Sequence, residues 1–106
     1  MAGSTGCPQG GLQDDVLERP RTKEPPRFAV LMHNDDYTSM EFVVRILREV
    51  FLKNEEEAVT LMLRVHNDGV AKCATYTREI AETKVAVVHA RARDAGFPLR
   101  CTMEQE

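Results

Sequence analysis

The sequence predicts a small α/β domain, in which three helices cover one face of a three-stranded antiparallel sheet. Short apolar runs alternate with longer helical repeats after residue 26, in the order β-α-α-β-α-β. That order is packed most economically as one sheet with the helices on one face. The chain has 106 residues, 42% hydrophobic and 29% charged, which suits one soluble domain with a modest core.

Residues 1–26 differ in composition from the rest of the chain. They hold most of the glycines and four prolines (Pro8, Pro20, Pro25 and Pro26), and no apolar repeat runs through them. Such a segment is too polar and too interrupted to pack a core. We therefore expect a flexible N-terminal extension over 1–26 and a folded domain over 27–106.

The first strand and helix are predicted on either side of a polar corner. The apolar run 28–32 is a strand, and Asn34, Asp35 and Asp36 after it are turn formers. Thr38 and Glu41 have the spacing of a capping box, which predicts a helix from Thr38 to about residue 51. Its apolar stripe comprises Met40, Val43, Val44, Leu47, Val50 and Phe51.

A second helix is predicted to begin at Asn54, which forms a capping pair with Glu57. Its apolar face contains Ala58, Leu61, Met62 and Val65, with His66 at the edge. The pair Asp68-Gly69 is typical of a helix C-terminus.

The rest of the chain predicts a strand, a helix and a strand. Residues 70–76 form the second strand, and Thr77 caps a third helix that runs to about Ala95. Its apolar seam is Ala81, Val85, Val88 and Ala92, while Glu79, Glu82 and Lys84 lie off the seam and are expected to face solvent. Gly96 ends this helix, and residues 98–103 form the last strand.

Composition excludes several classes of function. The net charge of -3 does not resemble the basic footprint of a nucleic-acid binder. No apolar run approaches the ~20 residues that span a bilayer, so we expect a cytoplasmic protein. Cys7, Cys73 and Cys101 are too far apart for a metal site or a disulfide framework, and Cys73 and Cys101 are expected to be core residues. We expect no metal and no cofactor.

Three interpretations of the polar corner compete. Asp35 or Asp36 with His66 could form an acid–base pair, but no nucleophile motif or phosphate loop accompanies them, so we do not expect an enzyme. The corner could instead be a structural turn in a generic protein-interaction domain. Alternatively, its acceptors beside an apolar wall could bind an ammonium group that carries a hydrophobic side chain.

Four motifs favour the last interpretation. They are Asn-Asp-Asp-Tyr-Thr-x-Met-Glu-Phe-Val at 34–43, Leu-Met-Leu-x-Val-His at 61–66, Ala-Glu-Thr-Lys-Val at 81–85 and Pro-Leu-x-Cys-Thr at 98–102. In this order they resemble the ClpS family over about residues 27–104. The resemblance implies a bacterial adaptor of the N-end rule, which delivers substrates to an AAA+ protease and has a fold like the C-terminal domain of the ribosomal stalk protein.

The resemblance also implies roles for individual residues. The α-amino group of the substrate is expected at Asn34, Asp35, Asp36 and His66. Its side chain (Leu, Phe, Tyr or Trp) is expected in a hydrophobic pocket of Met32, Thr38, Met40, Val43, Met62, Val65 and Leu99. The N-terminal domain of a ClpA-like unfoldase is expected to dock on Glu79, Glu82 and Lys84, and the extension is expected to act in delivery. We expect a monomer that binds neither nucleic acid nor membrane.

One departure from the family pattern lies next to the pocket. Position 39 is Ser, where the family commonly has Pro at the first helical position, so we expect slightly less preorganisation there.

Overall fold

The predicted order of elements, β-α-α-β-α-β, is confirmed in a computed structural model that describes residues 25–106. The elements are β1 (Arg27–His33), α1 (Met40–Glu49), α2 (Glu55–Asp68), β2 (Val70–Thr77), α3 (Arg78–Ala95) and β3 (Arg100–Gln105). The last strand lies two residues later than predicted. Most of the predicted extension, residues 1–24, lies outside the described residues.

The sheet is antiparallel and has the strand order β2-β1-β3. In the centre of the sheet, Met32 pairs with Ala71 on one side and with Cys101 on the other. The register of β1 and β2 shifts by one residue between Val30 and Leu31. Val30 pairs with Ala74 and Leu31 pairs with Lys72, so Cys73 is skipped in the pairing. Because β1 is the central strand, its apolar side chains are buried most completely, and Val30 and Met32 are fully inaccessible.

The helices pack on one face of this sheet, as predicted. Each contributes small or branched side chains to a single core, including Ile46 and Leu47 of α1, Ala58 and Val65 of α2, and Ala81, Val88 and Ala92 of α3. Cys73 and Cys101 are free and buried in the same core, as expected. Burial raises the pKa of Cys73 to about 12 and that of Cys101 further, so both are unreactive thiols.

The predicted capping box at Thr38 and Glu41 is wrong. The N-cap of α1 is Ser39, whose Oγ accepts from the amide of Phe42 at 3.2 Å. The Thr38 side chain is instead directed to Asp35, whose carboxylate accepts from both the amide and the hydroxyl of Thr38. Ser39 therefore occupies the cap position and not the first helical position, and serine is well suited to it. The helix begins at Met40 and ends at Glu49, two residues inside each predicted boundary.

The boundaries of α2 are confirmed. Asn54 Oδ1 accepts from the amide of Glu57 at 2.8 Å, and Glu57 Oε1 accepts from the amide of Asn54 at 3.2 Å. Gly69 ends the helix in the left-handed region, with φ 86°. For α3, Thr77 has the predicted cap position but makes no side-chain capping bond.

The expectation that Lys84 faces solvent is wrong. Its Nζ donates to the backbone oxygen of Val50 at 2.7 Å and lies 5.5 Å from the centre of the Tyr76 ring. Val50 is the C-cap of α1, where a cation is favourable because the last carbonyls of a helix carry partial negative charge. Lys84 thus connects α3 to the end of α1.

Over residues 25–106, no helix is long and apolar enough to cross a membrane.

Candidate functional site

A cavity of about 370 Å³ lies where the loop between β1 and α1 meets the last turns of α2. It is lined by Asn34, Asp35, Asp36, Tyr37, Thr38, Ser39, Met40, Val43, Met62, Val65 and His66. Backbone contacts next to the cavity hold these two segments together. The amide of Asn34 donates to the oxygen of Gly69 at 2.9 Å, and His33 pairs with Val70 directly after that glycine. The loop is thereby fixed against the end of α2, and His66 comes to the same cavity as Asn34.

Asp35 holds the loop in shape. Its Oδ1 accepts from the amides of Tyr37 and Thr38 at 2.8 and 2.7 Å, and its Oδ2 accepts from the Thr38 hydroxyl at 2.7 Å. Burial raises the pKa of Asp35, but the hydrogen bonds from Thr38 and Tyr37 outweigh burial and hold it below its ordinary value. Asp35 is therefore an ionised carboxylate whose oxygens are already engaged by the backbone and side chain of its own loop.

Asn34, Asp36 and His66 form an open polar rim. All three are exposed and line the cavity. Among residues 25–106, none of their side chains makes a hydrogen bond to the protein. The Asn34 amide oxygen, the Asp36 carboxylate and a neutral His66 nitrogen can each accept a proton donor. The rim can therefore receive a cation with several N–H groups.

The remaining wall of the cavity is apolar. Val43 and Val65 are buried at 7% and 3% exposure, and Met62 is half-buried. Met40, the first residue of α1, is 48% exposed. Methionine side chains adapt to ligands of different shape, because they are unbranched and polarisable. The cavity can thus bury one hydrophobic side chain directly beside the polar rim.

The structure brings together every residue that we predicted for the site except Met32 and Leu99. Both are in the hydrophobic core, at 0% and 4% exposure, and neither lines the cavity. Met32 lies on the helix-covered face of the central strand, which is why it packs into the core. Tyr37 and Ser39 line the cavity but were not predicted. The only sequence feature that could have indicated a role for these two residues is their position directly after the acceptors Asn34, Asp35 and Asp36.

The residues predicted for docking lie on α3, outside this cavity. Glu79 and Glu82 are exposed near its beginning, while Lys84 is half-buried by the contact with Val50.

Comparison with known proteins gives one consistent result. The family model for the ATP-dependent Clp protease adaptor protein ClpS matches residues 23–102. The ClpS adapter protein of Nitratidesulfovibrio vulgaris Miyazaki F is 57% identical over 98 residues, which are 92% of this chain and 98% of that protein. The protein of the same name from Oleidesulfovibrio alaskensis is 60% identical over 91 residues, 86% of this chain and 88% of that one.

A solved structure agrees in fold. Agrobacterium tumefaciens ClpS2 bound to L-phenylalaninamide has a TM-score of 0.76 and 38% sequence identity, covering 78% of this chain and 100% of that one. Residues 23–102, which the family model matches, include the cavity and all three helices. The chain therefore belongs to the ClpS family of ATP-dependent Clp protease adaptor proteins.

Proposed function

We propose that this adaptor binds the free α-amino group and the large hydrophobic side chain of N-end rule substrates and delivers them to an AAA+ unfoldase for degradation. One observation carries the proposal. Asn34, Asp36 and His66, whose side chains have no hydrogen-bond partner within residues 25–106, surround a cavity whose remaining wall is apolar. A ligand that matches both the polar rim and the apolar wall has an ammonium group and a hydrophobic side chain on the same carbon atom.

The polar rim matches the ammonium group of a chain terminus. That group has three N–H donors, and Asn34, Asp36 and His66 supply one acceptor each. A hydrogen bond to a charged group contributes roughly 1.5–3 kcal/mol. For Asp35 we propose a positioning role in place of direct contact with the amine, because its carboxylate accepts from Tyr37 and Thr38 and holds the loop that presents Asn34 and Asp36.

The apolar wall matches a side chain such as Leu, Phe, Tyr or Trp. Full burial of one such side chain contributes about 1.5–3 kcal/mol. Together with the ammonium contacts, this is sufficient for micromolar affinity after the cost of association. The ligand of the solved relative, L-phenylalaninamide, combines a free amino group with a benzyl side chain and lacks the negative carboxylate of a free amino acid.

Acetylation of the peptide N-terminus is expected to abolish binding. It removes the positive charge and two of the three donors, while the hydrophobic side chain is unchanged. A fluorescent peptide that begins with Phe is titrated with the protein and followed by anisotropy, beside its N-acetylated copy and a copy that begins with Gly. Only the free Phe peptide is expected to bind in the micromolar range.

The alternative, a generic interaction domain, predicts a different pattern in this titration. A groove that recognises side chains alone would bind the acetylated and the free peptide equally. Equal affinity for the two would therefore contradict amine recognition and support the alternative.

We further propose that Glu79, Glu82 and Lys84 contact the N-terminal domain of a ClpA-like unfoldase. Glu79 and Glu82 are exposed on α3, away from the cavity, so a docked unfoldase would leave the peptide site free. Lys84 also joins α3 to Val50. A substitution of Lys84 is therefore expected to alter stability as well as docking, whereas Glu79→Ala and Glu82→Ala are expected to alter docking alone.

Deletion of residues 1–22 is expected to abolish delivery and to leave recognition intact. The cavity is built entirely from residues 34–66, and the family resemblance assigns the extension to engagement of the protease. Degradation of a reporter that begins with Leu or Phe is measured with full-length and truncated adaptor, beside a peptide titration of both. Normal degradation with the truncated adaptor would contradict the delivery role without affecting the recognition proposal.

A further inference from the structure

We propose that a groove between α1 and α2, which shares two lining residues with the cavity, binds the residues that follow the first residue of the substrate and favours apolar side chains there. This inference rests on the proposed function. The α1–α2 groove, as we call it, has a volume of about 710 Å³. It is lined by Met40, Glu41, Val44, Arg45, Arg48 and Glu49 of α1, by Lys53 and Asn54 of the connection, and by Glu55, Val59 and Met62 of α2.

The two walls of the groove are parallel rows of side chains. On α1 the row is Met40, Val44 and Arg48, spaced by one turn each; on α2 it is Met62, Val59 and Glu55. The Arg48 Nη1 to Glu55 Oε1 distance of 3.0 Å places the end of α1 opposite the beginning of α2. The helices are thus antiparallel, with the two valines between the methionines and the ion pair.

The cavity and the groove share two residues. Met40 and Met62 line both of them. A peptide whose first side chain fills the cavity therefore has the groove as the adjoining channel. The eight steps along α1 from Met40 to Arg48 give a rise of about 12 Å, and an extended chain rises by about 3.3 Å per residue. The groove therefore accommodates roughly three extended residues between Met40 and the Arg48–Glu55 ion pair.

The chemistry of the groove determines what it selects. Its charged rim has as many acidic residues (Glu41, Glu49 and Glu55) as basic ones (Arg45, Arg48 and Lys53). Glu55 is paired with Arg48, and Glu49 is paired with Arg91. The rim therefore gives little preference for the sign of a ligand charge. Val44 and Val59 are half-buried and offer an apolar floor, which favours an apolar side chain at the second or third position of the substrate.

The test compares peptides that differ only after the first residue. Phe-Leu-Val and Phe-Gly-Gly peptides with the same remaining sequence are titrated beside phenylalaninamide, which ends before the groove. We expect the wild-type protein to bind Phe-Leu-Val roughly 3- to 30-fold more tightly, as partial burial of an apolar side chain implies. Val44→Ser and Val59→Ser are expected to remove this difference and to leave the phenylalaninamide affinity unchanged. Val87→Ser, at an exposed valine on α3, is the matched control.

Unchanged phenylalaninamide affinity also shows that each variant is folded. A Phe-Leu-Val preference that persists in both groove variants would overturn the inference while the proposed function stands. Failure of the wild-type protein to bind phenylalaninamide or any free peptide would overturn the proposed function itself. Sedimentation of the same samples identifies a different occupant: if the wild-type protein dimerises and the groove variants do not, the groove binds a second copy of the chain and the inference is overturned.

Discussion

Asp36→Asn is expected to weaken binding of a Phe-initiated peptide by about 10- to 100-fold, without a change in thermal stability. The Asp36 carboxylate is exposed at the cavity and makes no hydrogen bond within residues 25–106. Its removal is therefore expected to leave the free energy of unfolding unchanged. The ligand ammonium, however, loses an ionic acceptor that contributes roughly 1.5–3 kcal/mol to binding. Peptide anisotropy and the midpoint of thermal unfolding are measured on the same sample.

Asp35→Asn is the matched variant, one residue away, and it is expected to lower thermal stability. An amide replaces one of the two oxygens that receive the Tyr37 and Thr38 donors. Because hydrogen bonds hold the pKa of Asp35 below its ordinary value, its stabilisation is present above that ordinary value and disappears as pH falls through the lowered pKa. The unfolding midpoints of wild type and Asp35→Asn should therefore differ at pH 5–7 and converge in strong acid. The opposite assignment, with stability lost only in Asp36→Asn, would contradict these two roles.

Much of the fold could be predicted because its determinants are local. The apolar repeat of α2 and the reciprocal Asn54 and Glu57 pair depend on residues within one or two turns, and both are confirmed. Gly69 and Gly96 mark helix ends because both have positive φ, which other residues rarely adopt. We made no prediction of the strand order β2-β1-β3, in which the strand with the most completely buried apolar side chains is central.

The wrong predictions concern side chains that had two possible partners. Thr38 and Ser39 are adjacent hydroxyl residues, and either could cap the helix. In the structure Thr38 binds Asp35, and Ser39 is the N-cap. Lys84 lies off the apolar seam of α3, yet its long side chain reaches a carbonyl on another helix. Neither outcome is encoded in spacing along the chain.

The sequence pattern also could not predict which methionines line the cavity. Met32, Met40 and Met62 each lie in an apolar stretch of a predicted strand or helix, and nothing in their spacing separates a core residue from a cavity wall. In the fold Met32 is directed to the centre of the sheet, whereas Met40 and Met62 lie on facing helices. The polar residues of the site were easier to predict because three of them are consecutive.

Met40→Ala is expected to reduce the discrimination between Leu and Ile at the first position of the ligand. Met40 is the first residue of α1, 48% exposed, and lines the cavity beside the polar rim. There it crowds a side chain that branches at Cβ, close to the amino group, but not one that branches further out. We expect the wild-type protein to prefer Leu by roughly 10- to 200-fold, the range for small differences in a hydrophobic pocket, and the variant to narrow that ratio.

Leucinamide and isoleucinamide are the appropriate ligands, because neither extends into the α1–α2 groove that Met40 also lines. Isothermal titration of both ligands with wild type, Met40→Ala and Val87→Ala separates a local effect from a general one. Truncation of Met40 removes part of the wall for either ligand, so a weaker affinity for leucinamide is expected as well. The ratio of the two affinities is the decisive quantity, since the loss of a general apolar contact lowers both equally. An unchanged ratio in Met40→Ala would show that another residue of the wall, such as Val43 or Val65, excludes the branched side chain.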